Sequence, residues 1–169
     1  MKRYFVLFLL SLPAIGIIAQ NEMSQLRNLF FQQPQQTKLF VEKGMANPSQ
    51  DDVSLGYKGA ATAISAQFKD WPLEKLSTFN DGKSLIEQAI QRNPWNAELR
   101  FIRLTIQCQS PSFLGYQSNI ATDCQLIIDH FALNYVQVKD VYWQNVIKFI
   151  LKQDLIETTK KNKLQPYLT

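Results

Sequence analysis

The segment LGYKGAATAISAQF, residues 55–68, is the strongest indication of the fold, because small residues recur in it at helical spacing. They fall on two faces of one helix, with Gly56, Ala60 and Ala63 on the first and Gly59, Ala63 and Ala66 on the second. Side chains this small allow a second helix to approach closely. We therefore predict a helix over this stretch that packs tightly against a neighbouring helix.

Gly82 indicates which helix that neighbour is. Pro72 begins the next helical segment, which ends at Asn93-Pro94, and Gly82 lies near its middle. A glycine inside a helix costs about 1 kcal/mol relative to alanine. A close crossing between the two helices explains this glycine, so we predict that they cross at Gly82.

The rest of the chain also has the pattern of helices. Proline is tolerated at the start of a helix but not in its interior, and the prolines divide the chain into pieces of helical length. Apolar periodicity predicts further helices over residues 21–32, 34–44, 97–108, 120–131 and 138–156. We expect Ser49 and Asn96 to cap the helices that follow them. No segment shows a sustained strand pattern, so the predicted fold class is all-α.

A faint internal repeat relates two of the junctions between helices. Asn47-Pro48 recurs 46 residues later as Asn93-Pro94, and at the same offset Val53 matches Leu99. Each period holds two helices, which is the unit of a helical-hairpin solenoid. The repeat predicts stacked antiparallel helical hairpins.

The N-terminus predicts export. Lys2 and Arg3 precede an apolar run over residues 4–18, which is shorter than a membrane-spanning helix. This is the layout of a secretory signal peptide, residues 1–19, with a cut before Gln20. We expect a periplasmic protein with no stable membrane insertion after cleavage. A secreted protein and one anchored by an uncleaved signal are the alternatives.

Composition and charge describe one ordinary globular domain. The chain has 169 residues, of which 46% are hydrophobic and 19% charged, and its net charge is +4. We expect a single domain over residues 20–158 and a solvated basic tail over 159–169. Two basic residues lie in the predicted signal peptide and three lysines lie in the tail, so the body is nearly neutral. A nucleic-acid partner is therefore not expected.

The sequence contains no recognisable motif for catalysis, a metal or a cofactor. The single histidine, His130, has no further ligand at a fitting spacing. The motifs of serine hydrolases, zinc proteases and phosphate-binding loops are absent from it. We predict no catalytic residue, no metal and no cofactor. Enzymatic activity has no support in the sequence and stays an open alternative.

The two cysteines, Cys108 and Cys124, could form a disulfide bond. Their number is even, and export would place them in an oxidising compartment. An antiparallel pair of helices would also bring them close together. Both cysteines lie on apolar stripes, however, where free cysteine acts as a small apolar residue. Geometry decides between a bond and two free thiols.

A polar stripe on the predicted helix 97–108 is the strongest candidate site. It begins at the cap and is formed by Asn96, Arg100, Arg103 and Gln107. In a groove, Arg100 and Arg103 could hold a peptide carboxylate in a bidentate manner. We favour the alternative, internal ion pairing with Glu87, Glu98 or Asp123, because buried charges are normally paired.

The following loop, SPSFLGY at residues 110–116, is unusually apolar. Phe113, Leu114 and Tyr116 could form a contact patch for a partner. The favoured alternative is that these residues fold back over the helix ends. Internal pairing of Arg100 and Arg103 would help to order the loop around Tyr116.

Two resemblances complete the prediction. The segment 85–99 resembles the junction between tetratricopeptide repeats; its sequence is LIEQAIQRNPWNAEL. Ala89 and Pro94 stand at the alanine and proline positions of the repeat. The helix that follows departs from the repeat pattern at Arg100, Arg103 and Leu104. The likeness implies a divergent tetratricopeptide-like fold over about residues 50–131.

Four blocks resemble a family of small exported helical proteins of Gram-negative bacteria of the Bacteroidota type. They are YKGAATA (57–63), GKSLIEQAI (82–90), NAELRFIRLTIQ (96–107) and PSFLGYQSNI (111–120). That likeness implies a fold and a compartment, and it transfers no activity.

Together these patterns predict a periplasmic helical-repeat protein that serves as a binding or accessory module. Its expected partner is an envelope protein or peptide, held by Arg100 and Arg103. The alternative is a small-ligand binder or enzyme with a pocket between helices around Arg100, Arg103, Tyr57 and Tyr116. The step from this fold to a binding function is an inference by analogy.

Overall fold

The computed structural model describes residues 12–49, 51–133 and 140–168, with side chains in the first helix from Gln20 onward. Within these ranges every regular element is helical, which confirms the all-α class. The α-helices there are α1 (Leu12–Phe31), α2 (Thr37–Ala46), α3 (Asp52–Ser65), α4 (Pro72–Arg92), α5 (Ala97–Gln109), α6 (Ile120–Leu133), α7 (Val141–Lys152) and α8 (Thr158–Asn162). Short 3-10 turns lie at Ala66–Phe68, Ser112–Leu114 and Gln165–Leu168.

The predicted signal peptide, residues 1–19, lies largely outside the described residues. Helix α1 begins at Leu12 and continues through the predicted cut before Gln20. Among the helices that the structure describes, none is both long and apolar enough to cross a bilayer. Cleavage and export stay predictions.

Helices α3 and α4 cross where the glycines predict. A Cβ atom on Gly82 would overlap the backbone nitrogen of Ala63 and lie 2.5 Å from the carbonyl oxygen of Gly59. A Cβ on Gly59 would in turn lie 2.8 Å from the carbonyl oxygen of Gly82. Because the obstructing atoms are backbone, neither helix could accept a side chain there without moving its partner.

The start of α3 corrects the predicted N-cap at Ser49. Ser49 has a φ of 55°, and its N–H donates to the side-chain oxygen of Asn47 at 2.9 Å. The cap is Asp51, whose Oδ1 accepts a hydrogen bond from the Ser54 N–H at 2.8 Å. Aspartate and serine cap helices about equally well, so local sequence could not decide between them. Asn96 caps α5 as predicted, accepting from the Leu99 N–H at 3.0 Å.

Helix α2 begins and ends later than predicted. Pro34 lies in the turn before the helix, where its carbonyl accepts hydrogen bonds from the hydroxyl and the N–H of Thr37 at 2.7 and 3.4 Å. The helix continues past Gly44 to Ala46. Gly44 is needed for close packing, because a Cβ there would lie 2.5 Å from the Cβ of Ala61. It is therefore an interior packing residue of α2 and not the end of the helix.

Helix α5 lies at the centre of the protein. Leu99, Phe101, Ile102 and Leu104 are fully buried although they face different sides of the helix. Helix α5 packs against α3, α4 and α6. The predicted apolar stripe of α6 is also buried, and its members are Ile120, Cys124, Ile127, Ile128 and Phe131.

The chain closes on itself through α7. Tyr142 of α7 packs edge to face against Phe31 of α1, with ring centroids 5.4 Å apart. Phe149 packs in the same manner on Phe101 of α5 at 5.4 Å. Through these contacts α7 packs against both α1 and α5.

The C-terminal part of the chain corrects two predictions. Helix α7 ends at Lys152, short of the predicted 138–156, and the buried Ile156 lies beyond its end. The basic segment 159–169 packs against the body up to its last described residue, because Leu164 is fully buried and the Tyr167 ring lies 5.6 Å from that of Phe131. Of its three lysines, Lys163 is exposed, whereas Lys160 and Lys161 are half-buried, and the Lys160 Nζ donates to the carbonyl oxygen of Ala121 at 3.4 Å.

Candidate functional site

Arg103 lies in a buried ion-pair cluster. Its Nε and Nη2 atoms donate to the two carboxylate oxygens of Asp123, each at 2.7 Å. Its Nη1 donates to Glu87 at 2.8 Å. Arg103 is 4% exposed and Asp123 is 0% exposed, so this pair joins α5 to α6 within the core. The internal pairing favoured from the sequence is therefore present.

Arg100 extends the same cluster to the preceding turn. Its Nε and Nη2 donate to the carbonyl oxygen of Pro94 at 3.0 and 2.6 Å, and its Nη1 donates to Asp123 at 3.2 Å. Every nitrogen of both guanidinium groups thus has an internal acceptor. The predicted role of Arg100 and Arg103 as anchors for a peptide gains no support from this geometry.

Tyr116 completes the cluster from the loop side. Its hydroxyl donates to Glu87 at 2.8 Å, and its ring packs edge to face on Phe79 at 5.8 Å. Burial, together with the nearby Glu87 carboxylate, raises the pKa of Tyr116 well above its usual range. The loop therefore folds back over the helix ends at Tyr116. Phe113, three residues earlier, points outward and is 84% exposed.

Gln107, the last residue of the polar stripe, is fully buried. Its Nε2 donates to the side-chain oxygen of Asn119 at 3.4 Å. Its own side-chain oxygen has no hydrogen-bond partner among the described residues. Gln107 joins the end of α5 to the start of α6 and offers no surface for a partner.

A second buried cluster surrounds Glu98, and sequence reasoning missed it. The Glu98 carboxylate accepts two hydrogen bonds of 2.7 Å from Arg27 and one of 2.9 Å from the Tyr57 hydroxyl. The Tyr57 hydroxyl also lies 3.3 Å from that of Tyr142. The cluster therefore joins α1, α3, α5 and α7. One feature of the sequence points to this cluster: Arg27 lies next to the apolar stripe of α1.

Tyr57 therefore belongs to the Glu98 cluster and not to a pocket with Arg100, Arg103 and Tyr116. The hydrogen bond to Glu98 raises the pKa of Arg27 above its usual range. Burial raises the pKa of Tyr57 and of Tyr142. Both clusters are internal and act as polar joints between helices.

Cys108 and Cys124 are free cysteines in the structure. Burial raises the pKa of each thiol to about 11, which makes both unreactive at neutral pH. His130 is partly buried, with its ring 4.9 Å from that of Trp143. Among the described residues, no group of three metal-ligating side chains is placed to hold an ion.

An apolar groove of about 1000 Å³ opens where the ends of several helices meet. Its floor consists of the buried residues Ala63, Ala66, Phe79 and Ile106. Its walls come from the start of α4, the loop after α5 and the turn before α2. We call this site the apolar groove.

The rim of the apolar groove combines strongly exposed apolar residues with exposed polar ones, among them Gln67, Asn80 and Gln109. Leu73 is 82% exposed and Phe113 is 84% exposed, and both line the groove. Lys75 is the one charged residue among those that line it. Of the residues proposed from the sequence, only Phe113 and Leu114 border the groove. No local motif marks it, because its residues come from distant parts of the chain.

Comparison of the chain with protein-family models, with curated proteins and with solved structures finds no match. The proposed function therefore depends on the geometry of this chain.

Proposed function

We propose that the protein is an exported, periplasmic helical-repeat module that binds an apolar ligand in the apolar groove and catalyses no reaction. The groove itself carries this proposal. Its volume of about 1000 Å³ lies at the upper end of the range of small-molecule sites, and such sites are mostly apolar with a few polar groups. The floor is buried and the rim is open, so a ligand can enter.

The helix packing supports the repeat part of the proposal. Consecutive helices pack together as α1 with α2, α3 with α4 and α5 with α6, and α3 also contacts α2 and α5. This order is the one expected of stacked tetratricopeptide-like hairpins. The contact between α7 and α1 would then close the stack, and the Glu98 cluster would lie on its inner face.

Export is supported by the N-terminal sequence. Lys2 and Arg3, the apolar run and the cut before Gln20 have the layout of a signal peptide. Mass spectrometry of the N-terminal peptide, on protein from the envelope fraction, tests this part. A chain that begins at Gln20 is expected. A chain that begins at Met1 and stays in the cytoplasm would exclude it.

Binding of an apolar dye tests the groove. We expect 1-anilinonaphthalene-8-sulfonate to become fluorescent with protein purified from cells that express the full chain. Leu76→Glu should weaken this binding at least tenfold, because it places a carboxylate in the wall of the groove. The matched control is Leu155→Glu, since Leu155 is 53% exposed and Leu76 is 45% exposed. Equal binding by both variants would contradict the proposal.

A protein or peptide partner is the second candidate, and the exposed rim favours it. Leu73 and Phe113 project from the groove, as contact residues of an interface do. Cross-linking in the native envelope tests this candidate with Phe113→Ser. Loss of one specific cross-linked partner in the variant would support it, and an unchanged set of partners would exclude this rim.

A further inference from the structure

We infer that the apolar groove takes a free long-chain carboxylic acid, with the alkyl chain on the groove floor and the carboxylate beside Lys75. This inference rests on the proposed function and names the class of ligand. Its basis is the single basic side chain that lines the groove and the apolar floor.

The groove is lined by one basic side chain and by no acidic one. Lys75 is the one charged residue among those that line it, and aspartate and glutamate are absent from the lining. Within the described part of the chain Lys75 forms no ion pair, whereas nearby Lys69 pairs with Glu74 at 3.3 Å. A cation at the edge of an apolar site favours an anionic ligand over a neutral or cationic one.

The floor fits an alkyl chain. Ala63 and Ala66 have small side chains, which makes the groove deeper, and Phe79 and Ile106 supply apolar surface. The groove is concave and its floor is buried, so it can hold a single chain away from water and outside a bilayer. A single lysine also matches one carboxylate. These features favour a free fatty acid over a membrane surface.

Displacement of the dye by three probes of equal chain length tests the inference. The probes are dodecanoate, dodecanol and dodecyltrimethylammonium, used with the wild-type protein, Lys75→Gln and Lys75→Arg. We expect dodecanoate to bind most tightly. Lys75→Gln should weaken the binding of dodecanoate about fivefold, which is the contribution of an exposed ion pair. The binding of dodecanol should not change. Lys75→Arg should bind dodecanoate as the wild type does, because it keeps the charge.

The remaining outcomes separate this inference from the proposed function. If the dye binds but none of the three probes displaces it, or if Lys75→Gln affects dodecanoate and dodecanol equally, the carboxylic acid is excluded and the groove remains a binding site. If the dye does not bind, both the proposed function and this inference are excluded. Sedimentation with phosphatidylglycerol vesicles, without binding of dodecanoate, would identify a membrane-docking face and overturn the inference.

Discussion

Arg103 and Asp123 form a two-point ion pair with both side chains buried, and this pair fixes α6 against α5. Two hydrogen bonds of 2.7 Å join them, and Glu87 and Arg100 satisfy further groups of the same pair. In a buried ion pair of this kind, the cost of removing each charge from water is offset only while both partners are present. The cluster is thus a structural joint that depends on each of its members.

Removal of Asp123 should destabilise the protein strongly. Asp123→Ala leaves the Arg103 charge buried without its main partner, and such changes cost about 3–5 kcal/mol in the free energy of unfolding. Urea denaturation measures this loss. Glu74→Ala is the control, because it removes the exposed pair with Lys69 and should cost less than about 1 kcal/mol. Similar losses for the two variants would mean that the Arg103 cluster contributes little.

Gly82→Ala should destabilise the protein although alanine is the better helix former. The new methyl group would overlap the backbone of Ala63, which cannot move away without shifting α3. Overpacking of this kind costs about 1–3 kcal/mol, more than the roughly 1 kcal/mol that helix propensity returns. Thermal unfolding measures the difference. Gln91→Ala, at an exposed site of α4, should change stability by less than about 0.5 kcal/mol. A gain in stability for Gly82→Ala would refute the close crossing.

The two thiols should react slowly in the folded protein. Burial raises the pKa of Cys108 and Cys124 to about 11, so little thiolate is present at pH 8. We expect iodoacetamide to label neither cysteine quickly at pH 8, to react about tenfold faster per pH unit up to pH 9, and to label both in urea. Mass spectrometry counts the labels. Labels that appear in urea only after reduction would show that the two cysteines form a disulfide bond instead.

Alkaline pH should weaken the fold through its buried tyrosines. Burial raises the pKa of Tyr57, Tyr116 and Tyr142 in the folded state, so above about pH 10 only the unfolded chain loses these protons readily. The stabilisation is complete below that pH and falls as pH rises, by up to about 1.4 kcal/mol per pH unit for each tyrosine. Urea midpoints and tyrosinate absorbance from pH 8 to 11 measure the effect.

Tyr57→Phe provides the control for this pH dependence. The variant loses the hydrogen bond to Glu98 and is less stable at every pH. Its stability should nevertheless fall less steeply above pH 10, because one tyrosine no longer titrates. The same slope in the variant and the wild type would assign the alkaline loss to other groups.

Much of the fold could be predicted because the deciding signals are local. Helical periodicity reveals the helices, and small residues at Gly59 and Gly82 reveal a close crossing within one pair of neighbours. Asn96 caps its helix through a residue three positions away. Where two residues compete for one role over a short distance, as Ser49 and Asp51 do, the sequence does not decide, since either can cap a helix.

The candidate site could be predicted only in part. Helical spacing places Arg100 and Arg103 on one face of a helix that is apolar on two sides. Buried charges need partners, so the sequence predicts internal pairing with acidic residues such as Glu87 and Asp123. The Glu98 cluster could not, because Arg27 reaches Glu98 across 71 positions of the chain. No spacing rule relates residues that far apart.

Local patterns in the sequence predict the order of the long helices and the glycine-mediated crossing, because each depends on residues close together in the chain. They do not predict the ends of α2 and α7 or the short helix α8. Which polar residues join helices internally, and which surface is open, follows from the tertiary contacts and could not be read from the sequence. Packing pairs both arginines of the polar stripe with internal acceptors, Arg103 within the core and Arg100 at its edge. It also brought Lys75, Phe113 and the Ala63 region to one groove, and those segments adjoin only when the helix ends meet.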